Sequence, residues 1–445
     1  MANLYAWAFT VALGGFLFGF DTAVISGVNG LLEVEWALSK AALGQMVAAA
    51  LYGTVVGALA GGFPADALGR KTTLIIVAAL FLASAVGSAL SQNVMQLGVA
   101  RFIGGLGVGA SSVAAPMYIT EMAPAQQRGR LVAAFQANLV IGILVAYGSN
   151  YLVDTVGQGD NWRLMLGVEI VPAALFLLLL LRVPRSPRWL VTKAGRREEA
   201  LAVLRRIEPE RAEAELAAIE ASNTTSETVA VREFLSRRYA RPIGYAFVFA
   251  LFNQISGINA VIYFAPDIFA AAGLERQSAL LGSVGIGVVN VAFTLLGMLL
   301  IDRAGRRRLM YVGSVGYIVS LGAVAYAFWS GSLSGWTVPG WLFVFIASHA
   351  VGQGAVIWVF ISEVFGNEVR GLGASLGSGT HWVFAALISG TFPALAERFS
   401  EGPIFAFFAL CMVGQLLWVH FVMPETRGVD LEELQGRLVG VGSRE

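Results

Sequence analysis

The sequence contains one cysteine, Cys411, and three histidines, His349, His381 and His420, among its 445 residues. A single thiol excludes a disulfide framework, and the scattered histidines lack the spacing of metal ligands. Charged residues are scarce as well, at 13% against roughly 25% in an ordinary soluble protein. The net charge of +1 gives no sign of a nucleic-acid partner. These absences exclude a secreted disulfide scaffold, a metal-cluster protein and a nucleic-acid-binding protein, and no cofactor is expected.

Apolar residues make up 57% of the chain and form runs of the length that a helix needs to cross a bilayer. The sequence therefore predicts an all-α membrane protein with twelve transmembrane helices. The first run lacks the basic residues of a cleavable signal and is interpreted as a retained span. The runs lie at 7–29, 42–63, 73–91, 96–120, 131–153, 163–183, 241–270, 279–301, 308–331, 340–362, 371–394 and 403–423.

The distribution of lysine and arginine predicts the orientation of these spans. Of the 30 basic residues, 25 lie in alternate breaks between spans and in the C-terminal tail. Four lie on the other side, and Arg101 lies within the fourth span. The positive-inside rule then places both termini in the cytoplasm. We expect a multi-pass protein of the cytoplasmic membrane, and a monomer.

Three pairs of motifs show that the chain is internally duplicated. GGFPADALGRK returns 236 residues later as MLLIDRAGRRR, ITEMAPAQQRG returns 242 residues later as ISEVFGNEVRG, and PRSPR returns 240 residues later as PETRG. The repeat predicts two parallel six-helix halves, a design found in membrane transporters. The predicted domains are an N-terminal bundle (1–183), a cytoplasmic helical linker (184–240), a C-terminal bundle (241–423) and a cytoplasmic tail (424–445).

The linker is rich in charge and predicts short amphipathic helices. Ser186 followed by Pro187 is typical of a helix start. The stretches GRREEALAVLRRI and PERAEAELAAIEA each have the apolar periodicity of a short helix. A solvated tether between the halves is as good an interpretation as a regulatory element.

The charged residues of the duplicated motifs are expected to form a latch at the cytoplasmic ends of the spans. An arginine at a helix end can bind free carbonyls while pairing with a carboxylate. We hypothesise that the latch holds the halves together on the inside and stabilises an outward-open state. The alternative is that these charges only set topology, which we favour for Lys71, Arg307 and Arg308. The latch residues are Asp66, Arg70, Glu121 and Arg128 in the first half, and Asp302, Arg306, Glu363 and Arg370 in the second.

Asp21 and Arg101 are predicted to form a buried pair for proton coupling. Asp21 lies well inside the first span, where an isolated carboxylate costs several kcal/mol, so it needs a partner or a polar cavity. Arg101 is the one basic residue of the first half that lies away from the ends of its predicted span. A motion that separates the two would favour protonation of the carboxyl, which is the requirement for proton coupling. A purely structural pair is the alternative, and Glu169 and Asp267 are weaker candidates.

The seventh span contains the polar stretch NQISGINAVIY. In a straight helix Asn253, Ser256, Asn259 and Tyr263 lie within an arc of about 120°. Gln254 lies outside that arc, but a break at the neighbouring Gly257 would bring it round. Neutral amides and an aromatic ring suit a neutral polyhydroxylated ligand better than an ion. We interpret the stretch as a sugar site, with interhelical polar contacts as the alternative.

The motifs together resemble those of the sugar porter family of the major facilitator superfamily. They occur in order along the chain, as FGFDTAVISG, DALGRK, RFIGGLGVG, PMYITEMAPAQQRG, PRSPRWL, NQISGIN, DRAGRR, ISEVFGNEVRG and PETRG. The resemblance implies a central sugar site that opens alternately to each side of the membrane. It also implies that Asp21 and Arg101 serve proton symport, since passive facilitators of the family usually carry asparagine at the first position. The sugar-binding residues that it implies are Phe18, Gln136, Asn253, Gln254, Asn259, Tyr263, Asn290, Trp358 and His381.

Three departures from the family pattern bear on the substrate. Asn253 stands where glutamine is usual, and Arg185 in PRSPR replaces an acidic residue of the latch. His381 stands where glucose and xylose transporters carry asparagine or glutamine, and some fructose transporters carry histidine. Trp358 is retained and favours aldohexoses. Glucose is therefore expected first, with galactose, xylose and fructose left open.

Other function classes fit the sequence less well. The nearest alternative is a passive hexose uniporter of the same fold. A sugar sensor would be expected to carry a longer signalling tail, and an ATP-driven pump would need a phosphate-binding loop. No nucleophile and base constellation points to an enzyme. The expected partners are a monosaccharide, a proton and the lipid bilayer.

Overall fold

The computed structural model describes residues 2–124, 126–157, 161–222, 231–333, 335–366 and 368–429, together with 436 and 438. Over these residues the secondary structure is helical and no strand occurs. A helix satisfies its own backbone hydrogen bonds, which a chain in a bilayer needs because no water is present to do so. Most of the predicted tail, 424–445, lies outside the described residues.

The helices follow one another closely along the chain. Those before the linker are α1 (Ala2–Val24), α2 (Asn29–Glu35), α3 (Lys40–Ala60), α4 (Gly62–Ala67), α5 (Arg70–Leu90), α6 (Val94–Met122), α7 (Arg128–Val156), α8 (Trp162–Gly167) and α9 (Ile170–Arg182). Those of the linker are α10 (Pro187–Thr192), α11 (Arg197–Ile207), α12 (Ala212–Ser222) and α13 (Val231–Phe234). Those after it are α14 (Ala240–Ile255), α15 (Ile258–Ala271), α16 (Arg276–Ala304), α17 (Arg306–Ser330), α18 (Thr337–Val351), α19 (Gln353–Val364), α20 (Arg370–Phe399) and α21 (Glu401–Phe421).

The predicted twelve-span architecture is confirmed. In the described part of the chain, eleven helical segments are long and apolar enough to cross a membrane. The other predicted span, 371–394, is α20, whose 30 residues exceed the length that a crossing needs. Its sequence is diluted by glycine, serine and threonine, so it is less apolar than the others. Three spans are interrupted helices, formed by α8 with α9, α14 with α15, and α18 with α19.

The helices group into two compact units, each described separately below. Residues 25–48 and 150–160, which lie in the predicted N-terminal bundle, group with the C-terminal helices. Unit 1 comprises Met1–Val24, Ala49–Ser149 and Asn161–Glu227, and unit 2 comprises Ile25–Ala48, Asn150–Asp160 and Thr228–Glu445. The division at residues 183 and 241 into halves stays a prediction.

Glycines bring the helices of unit 1 into close contact. A Cβ at Gly142 of α7 would lie 2.1 Å from the carbonyl oxygen of Phe16 on α1. A Cβ at Gly105 of α6 would lie 1.9 Å from the carbonyl oxygen of Ala50 on α3. Small residues of this kind allow backbones to approach each other where lipid gives no hydrophobic drive for helix association.

The linker helices predicted from sequence are confirmed. The Ser186 hydroxyl accepts a hydrogen bond from the backbone N–H of Trp189 at 3.2 Å and so caps α10, with Pro187 as its first residue. α10, α11 and α12 share a small apolar core around Leu190 and Leu216. The linker is therefore a folded helical element over the residues described.

Candidate substrate and coupling sites

The polar stretch of the seventh span lies at a break in the helix. α14 ends at Ile255 and α15 begins at Ile258, and between them Gly257 has a φ of +83°. Any other residue would be strained there, because that φ is left-handed and a Cβ would lie 2.4 Å from the Phe408 ring. The predicted break at Gly257 is confirmed.

The break brings four polar side chains of unit 2 together. Asn259 Nδ2 donates to Gln254 Oε1 at 2.7 Å, and Gln254 Nε2 donates to Asn253 Oδ1 at 2.9 Å. Gln254 Nε2 also lies 3.1 and 3.2 Å from the two ring nitrogens of His381 on α20. All three amide side chains are buried. Gln254 thus joins the other polar residues, as the sequence predicts. We call Asn253, Gln254, Asn259 and His381 the amide cluster.

Two tryptophans flank the imidazole of this cluster. The ring centroid of Trp358, on α19, lies 5.1 Å from that of His381, and the ring of Trp382 lies 4.6 Å from it. Trp358 is 39% exposed although the amides beside it are buried. The arrangement therefore offers hydrogen-bonding groups next to an accessible aromatic surface, which is the usual composition of a small-molecule site. Trp382 was not predicted, because only its adjacency to His381 marks it in the sequence.

Two further predicted sugar contacts of unit 2 are buried on α16 and α15. Asn290 on α16 is buried, and its Oδ1 accepts from Thr294 Oγ1 at 3.3 Å. Within the described chain, no hydrogen bond is found between Asn290 and the amide cluster. Tyr263 lies one turn beyond Asn259 on α15 and is buried. The structure therefore brings four of the predicted contacts together, and the part of Asn290 and Tyr263 in sugar binding stays a prediction.

The two remaining predicted sugar contacts belong to unit 1. Gln136 lies on α7 and is partly buried. Phe18 lies on α1 and is buried, about one turn before Asp21. Their role in sugar binding stays a prediction.

Asp21 and Arg101 form a buried ion pair in unit 1. Arg101 Nη1 lies 2.6 Å from Asp21 Oδ1, and Arg101 Nη2 donates to the backbone oxygen of Asp21 at 2.7 Å. Both side chains are 1% exposed. A buried pair of this kind is strongly destabilised when one partner is removed, because the other charge then lacks compensation. The pairing that the sequence predicts is present.

Glu169 is a second buried carboxylate beside this pair. It is 2% exposed, lies at the break between α8 and α9, and interacts electrostatically with both Asp21 and Arg101. Within the described residues, Glu169 Oε1 and Arg101 Nε have no hydrogen-bond partner. The sequence ranks Glu169 as a weaker candidate because its distance from Asp21 depends on helix packing. The structure makes it part of the same charged group.

The latch residues of the first half form a cluster within unit 1. Arg70 Nη2 lies 2.9 Å from Glu121 Oε1, and Arg70 Nη1 lies 2.9 Å from Asp66 Oδ1. Ser186 Oγ donates to the other oxygen of Glu121 at 2.5 Å. Arg128 is exposed at the start of α7. Ser186 is therefore a further member of this cluster, and the sequence did not predict it.

The latch residues of the second half repeat this arrangement within unit 2. Arg306 Nη2 lies 2.8 Å from Glu363 Oε1, and Arg306 Nη1 lies 3.2 Å from Asp302 Oδ1. Thr426 Oγ1 donates to Glu363 Oε2 at 2.6 Å, as Ser186 does in unit 1. Arg370 Nε donates to a backbone carbonyl at 3.1 Å. The hypothesis that these residues join the two halves stays a prediction, since the pairs described here form within a unit.

The departure at Arg185 has a clear structural consequence. Its counterpart in the repeat, Glu425, accepts hydrogen bonds from the backbone N–H groups of Arg306 and Arg307 at 3.0 and 3.1 Å. Glu425 therefore caps the start of α17 and favours its helix dipole. Arg185 instead lies over the ring of Trp189, 5.3 Å from its centroid. The two clusters differ by one carboxylate.

Polar contacts in unit 2 join α2 and the last turn of α7 to the C-terminal helices. Asn29 Nδ2 donates to the backbone oxygen of Tyr263 at 2.9 Å and to Asp267 Oδ2 at 3.1 Å. Arg276 Nε lies 2.8 Å from Asp154 Oδ1. In the predicted topology these contacts lie on the non-cytoplasmic side. Asp267, a weaker candidate for coupling, is thus engaged by Asn29.

Comparison with known proteins places this chain among sugar transporters. The chain matches the family model described as "Sugar (and other) transporter" over residues 7–437. It is 36% identical over 433 residues to the arabinose-proton symporter of Bacillus subtilis, covering 95% of this chain and 92% of that protein. It is 35% identical over 444 residues to the glucose transporter GlcP of Staphylococcus epidermidis, covering 98% of each. The inward-open structure of the xylose transporter XylE from E. coli superimposes with a TM-score of 0.87 at 32% identity, covering 98% of this chain and 100% of that one.

Proposed function

Because the chain belongs to this family of sugar transporters, which are multi-pass membrane carriers and not enzymes, we propose that it moves a neutral monosaccharide together with a proton across the cytoplasmic membrane. In this proposal the sugar binds at the amide cluster, and the two halves expose it alternately to each side. Both termini lie in the cytoplasm, as the distribution of basic residues predicts.

The observation that carries the proposal is the amide cluster itself. Asn253, Gln254 and Asn259 bury neutral donors and acceptors in a membrane span, where an unsatisfied polar group costs free energy. A sugar hydroxyl both donates and accepts, so it can satisfy such groups without introducing charge. The exposed face of Trp358, beside His381, supplies an apolar surface for the sugar ring.

Proton coupling is supported by the buried pair in unit 1 and by the arabinose-proton symporter among the relatives. While Arg101 contacts Asp21, the carboxylate stays charged. When a conformational change separates them, the buried carboxyl takes up a proton, and it releases that proton when the pair forms again. A passive uniporter of the same fold is the alternative, and replacement of Asp21 distinguishes the two.

Glucose is our first choice of substrate. A glucose transporter is among the relatives that match nearly the whole chain, and the retained Trp358 favours aldohexoses. His381 favours a different sugar, since it stands where fructose-transporting members carry histidine. Galactose, xylose and fructose remain open, and so does the arabinose of the Bacillus relative.

Counterflow in proteoliposomes tests this proposal directly. Purified protein is reconstituted into liposomes loaded with one unlabelled sugar, and entry of labelled glucose is followed. We expect glucose to exchange, and unlabelled sugars that bind the same site to compete with it. Liposomes without protein are the control. If none of these monosaccharides exchanges, the proposed function is wrong.

We also propose that the charged clusters act as a cytoplasmic latch, based on their duplication in both units. Arg128→Ala should weaken the contact between the halves and favour the inward-open state. Because Arg128 is exposed, the effect should be about two- to five-fold, the range of a surface ion pair. The measurement is the thiol reactivity of Ala133→Cys, on the Gln136 face of α7, in a Cys411→Ser background.

Arg130→Ala is the matched control for the latch, since Arg130 is also exposed in the first turn of α7. We expect it to leave the thiol reactivity unchanged. Equal reactivity in the Arg128→Ala and Arg130→Ala proteins would contradict the latch.

A further inference from the structure

A buried chain of hydrogen bonds crosses the C-terminal helices at the break between α18 and α19. Tyr317 Oη lies 2.8 Å from His349 Nδ1 and donates to Gln353 Oε1 at 3.2 Å. Gln353 Nε2 donates to Gln415 Oε1, and Gln415 Nε2 donates to Ser314 Oγ at 2.8 Å. We call these five side chains, which come from α17, α18, α19 and α21, the polar chain.

The polar chain has one consistent direction of donation. Tyr317 has a single hydroxyl proton, which it donates to Gln353, so His349 must donate to Tyr317 through a protonated Nδ1. At the other end, Ser314 Oγ donates to the backbone oxygen of Met310 at 2.7 Å. Each side chain after His349 therefore accepts one hydrogen bond and donates one along this path, which requires the tautomer of His349 with a proton on Nδ1.

The polar chain surrounds a break in the helical backbone. Gly352, between α18 and α19, has φ −84° and ψ −103°, outside the helical region. The break packs directly on α17, since a Cβ at Gly352 would lie 3.0 Å from the Cα of Gly313. Gln353, the first residue of α19, bonds to both α17 and α21. Ser314, Tyr317, Gln353 and Gln415 are all fully buried.

The position of α19 matters because this half-helix carries Trp358. Its ring lies 5.1 Å from His381 of the amide cluster, while Gln353 lies about one and a half turns earlier on the same helix. A rotation of α19 about the break at Gly352 would move Trp358 away from His381. Hydrogen bonds from Gln353 to two neighbouring helices prevent that rotation.

We propose that the polar chain is a positioning device for the sugar site. It holds the break at Gly352 in one geometry and so fixes the place of Trp358 beside His381. None of its five side chains needs to touch the sugar. The inference rests on the proposed function, because its effect is read in sugar affinity.

Tyr317→Phe tests the device with the loss of one hydroxyl group. The substitution leaves His349 Nδ1 and Gln353 Oε1 without their shared partner. We expect KM for the transported sugar to rise about ten-fold, because Trp358 is then held less firmly beside His381; this corresponds to a loss of about 1.4 kcal/mol in binding free energy. The maximal exchange rate should change less than two-fold, because the coupling pair lies in unit 1. Both quantities are measured by counterflow.

Ser320→Ala is the matched control, since it removes another buried hydroxyl from α17. Ser320 Oγ donates only within its own helix, to the Gly316 carbonyl at 2.6 Å and the Tyr317 carbonyl at 3.3 Å. We expect its KM to equal that of the unmodified protein. An unchanged KM in Tyr317→Phe, or an equal rise in both variants, would overturn the proposal.

A double variant separates positioning from stability. Gln353→Met alone leaves Gln415 Oε1 without its donor and should lower the thermal unfolding temperature. Gln353→Met with Gln415→Met removes both amides at similar volume, and the Tyr317 hydroxyl can then donate to His349 Nδ1 in its other tautomer, so the unfolding temperature should recover. If the polar chain positions α19, KM should stay raised in this stable double variant.

The double variant could instead recover both its unfolding temperature and its KM. In that case the two glutamines contribute only to packing, and the proposal that the polar chain positions α19 is wrong. Failure of the proposed function has a different signature, in which the unmodified protein exchanges no monosaccharide. If the unmodified protein transports sugar but substitutions in the polar chain leave KM unchanged, this inference is wrong and the proposed function stands.

Discussion

Asp21→Asn is expected to abolish proton-driven sugar accumulation while sugar exchange continues. The asparagine keeps the shape of the aspartate and one acceptor oxygen for Arg101, but it cannot take up and release a proton. Without that step the two halves can still alternate around a bound sugar. The carrier would then equilibrate sugar across the membrane and lose its coupling to the proton gradient.

The protein should tolerate this substitution because Arg101 keeps other partners. Its Nη2 still donates to the backbone oxygen of residue 21. Glu169 is buried and interacts electrostatically with both Asp21 and Arg101, so a carboxyl group remains beside the guanidinium when the charge of Asp21 is removed. Removal of a partner from an isolated buried pair costs about 3–5 kcal/mol, and a second carboxylate reduces that cost. The variant therefore tests coupling rather than folding.

The measurement compares two assays on the same proteoliposomes. Accumulation of labelled sugar is driven by an imposed pH gradient, and counterflow is measured without one. Asp21→Asn should accumulate no sugar above equilibrium and should retain counterflow. Glu215→Gln removes a carboxylate from the exposed face of α12 and should behave as the unmodified protein in both assays. If Asp21→Asn accumulates sugar as well as the control, the passive uniporter is the better interpretation.

The large-scale fold is predictable because its signals are local or repeated. A run of about 20 apolar residues is forced to be a helix by the bilayer, whatever its neighbours. The linker helices are equally local, since Ser186 and Pro187 specify a helix start before any contact is made. Gly257 marks a break because it interrupts a polar stretch of the seventh span. These features need no knowledge of which helices meet.

The break at Gly352 shows where the local signal ends. It lies in the run HAVGQGAV, and the chain has 52 glycines, many of them inside unbroken spans. What distinguishes Gly352 is the packing of α17 against it and the bond from Gln353 to Gln415, 62 residues away. The role of Glu169 is equally hard to predict from the sequence, because it depends on the distance between Glu169 and Asp21. Contacts between residues far apart in the sequence determine both the break at Gly352 and the role of Glu169.

The latch residues show how far a sequence repeat predicts side-chain contacts. Arg70 and Arg306 each meet the carboxylates of their own motif set, whereas Arg370 donates to a backbone carbonyl. The sequence did not reveal that Ser186 and Thr426 complete the two clusters, although they occupy equivalent places in the repeat. Conserved position in a repeat is therefore informative even for an uncharged residue.

Gln254→Leu is expected to raise KM for sugar exchange by about 10- to 100-fold. The side chain is fully buried and accepts from Asn259 while donating to Asn253, so it organises the amide cluster as well as offering groups to a ligand. Leucine has a similar volume but leaves both asparagines short of a partner. An unpaired buried polar group costs about 1–3 kcal/mol, and each 1.4 kcal/mol corresponds to about ten-fold in affinity.

Gln277→Leu provides the control for this substitution. Gln277 lies on α16 of the same unit and is exposed, and its amide donates to Thr155 at 3.3 Å, away from the amide cluster. We expect its KM to remain within two-fold of the unmodified protein. The thermal unfolding temperature of both variants is measured as well, because a loss of folded protein lowers the maximal rate without changing KM.

The comparison decides between a sugar site and interhelical polar contacts at the seventh span. If the amides only join helices, Gln254→Leu should lower the unfolding temperature and leave KM as it is in Gln277→Leu. If they bind sugar, KM should rise even in the fraction that stays folded. The proton-coupling assay adds a second constraint, because Gln254 and Asp21 belong to different units. Gln254→Leu should therefore still accumulate sugar when the external sugar concentration is raised above its new KM, whereas Asp21→Asn should not.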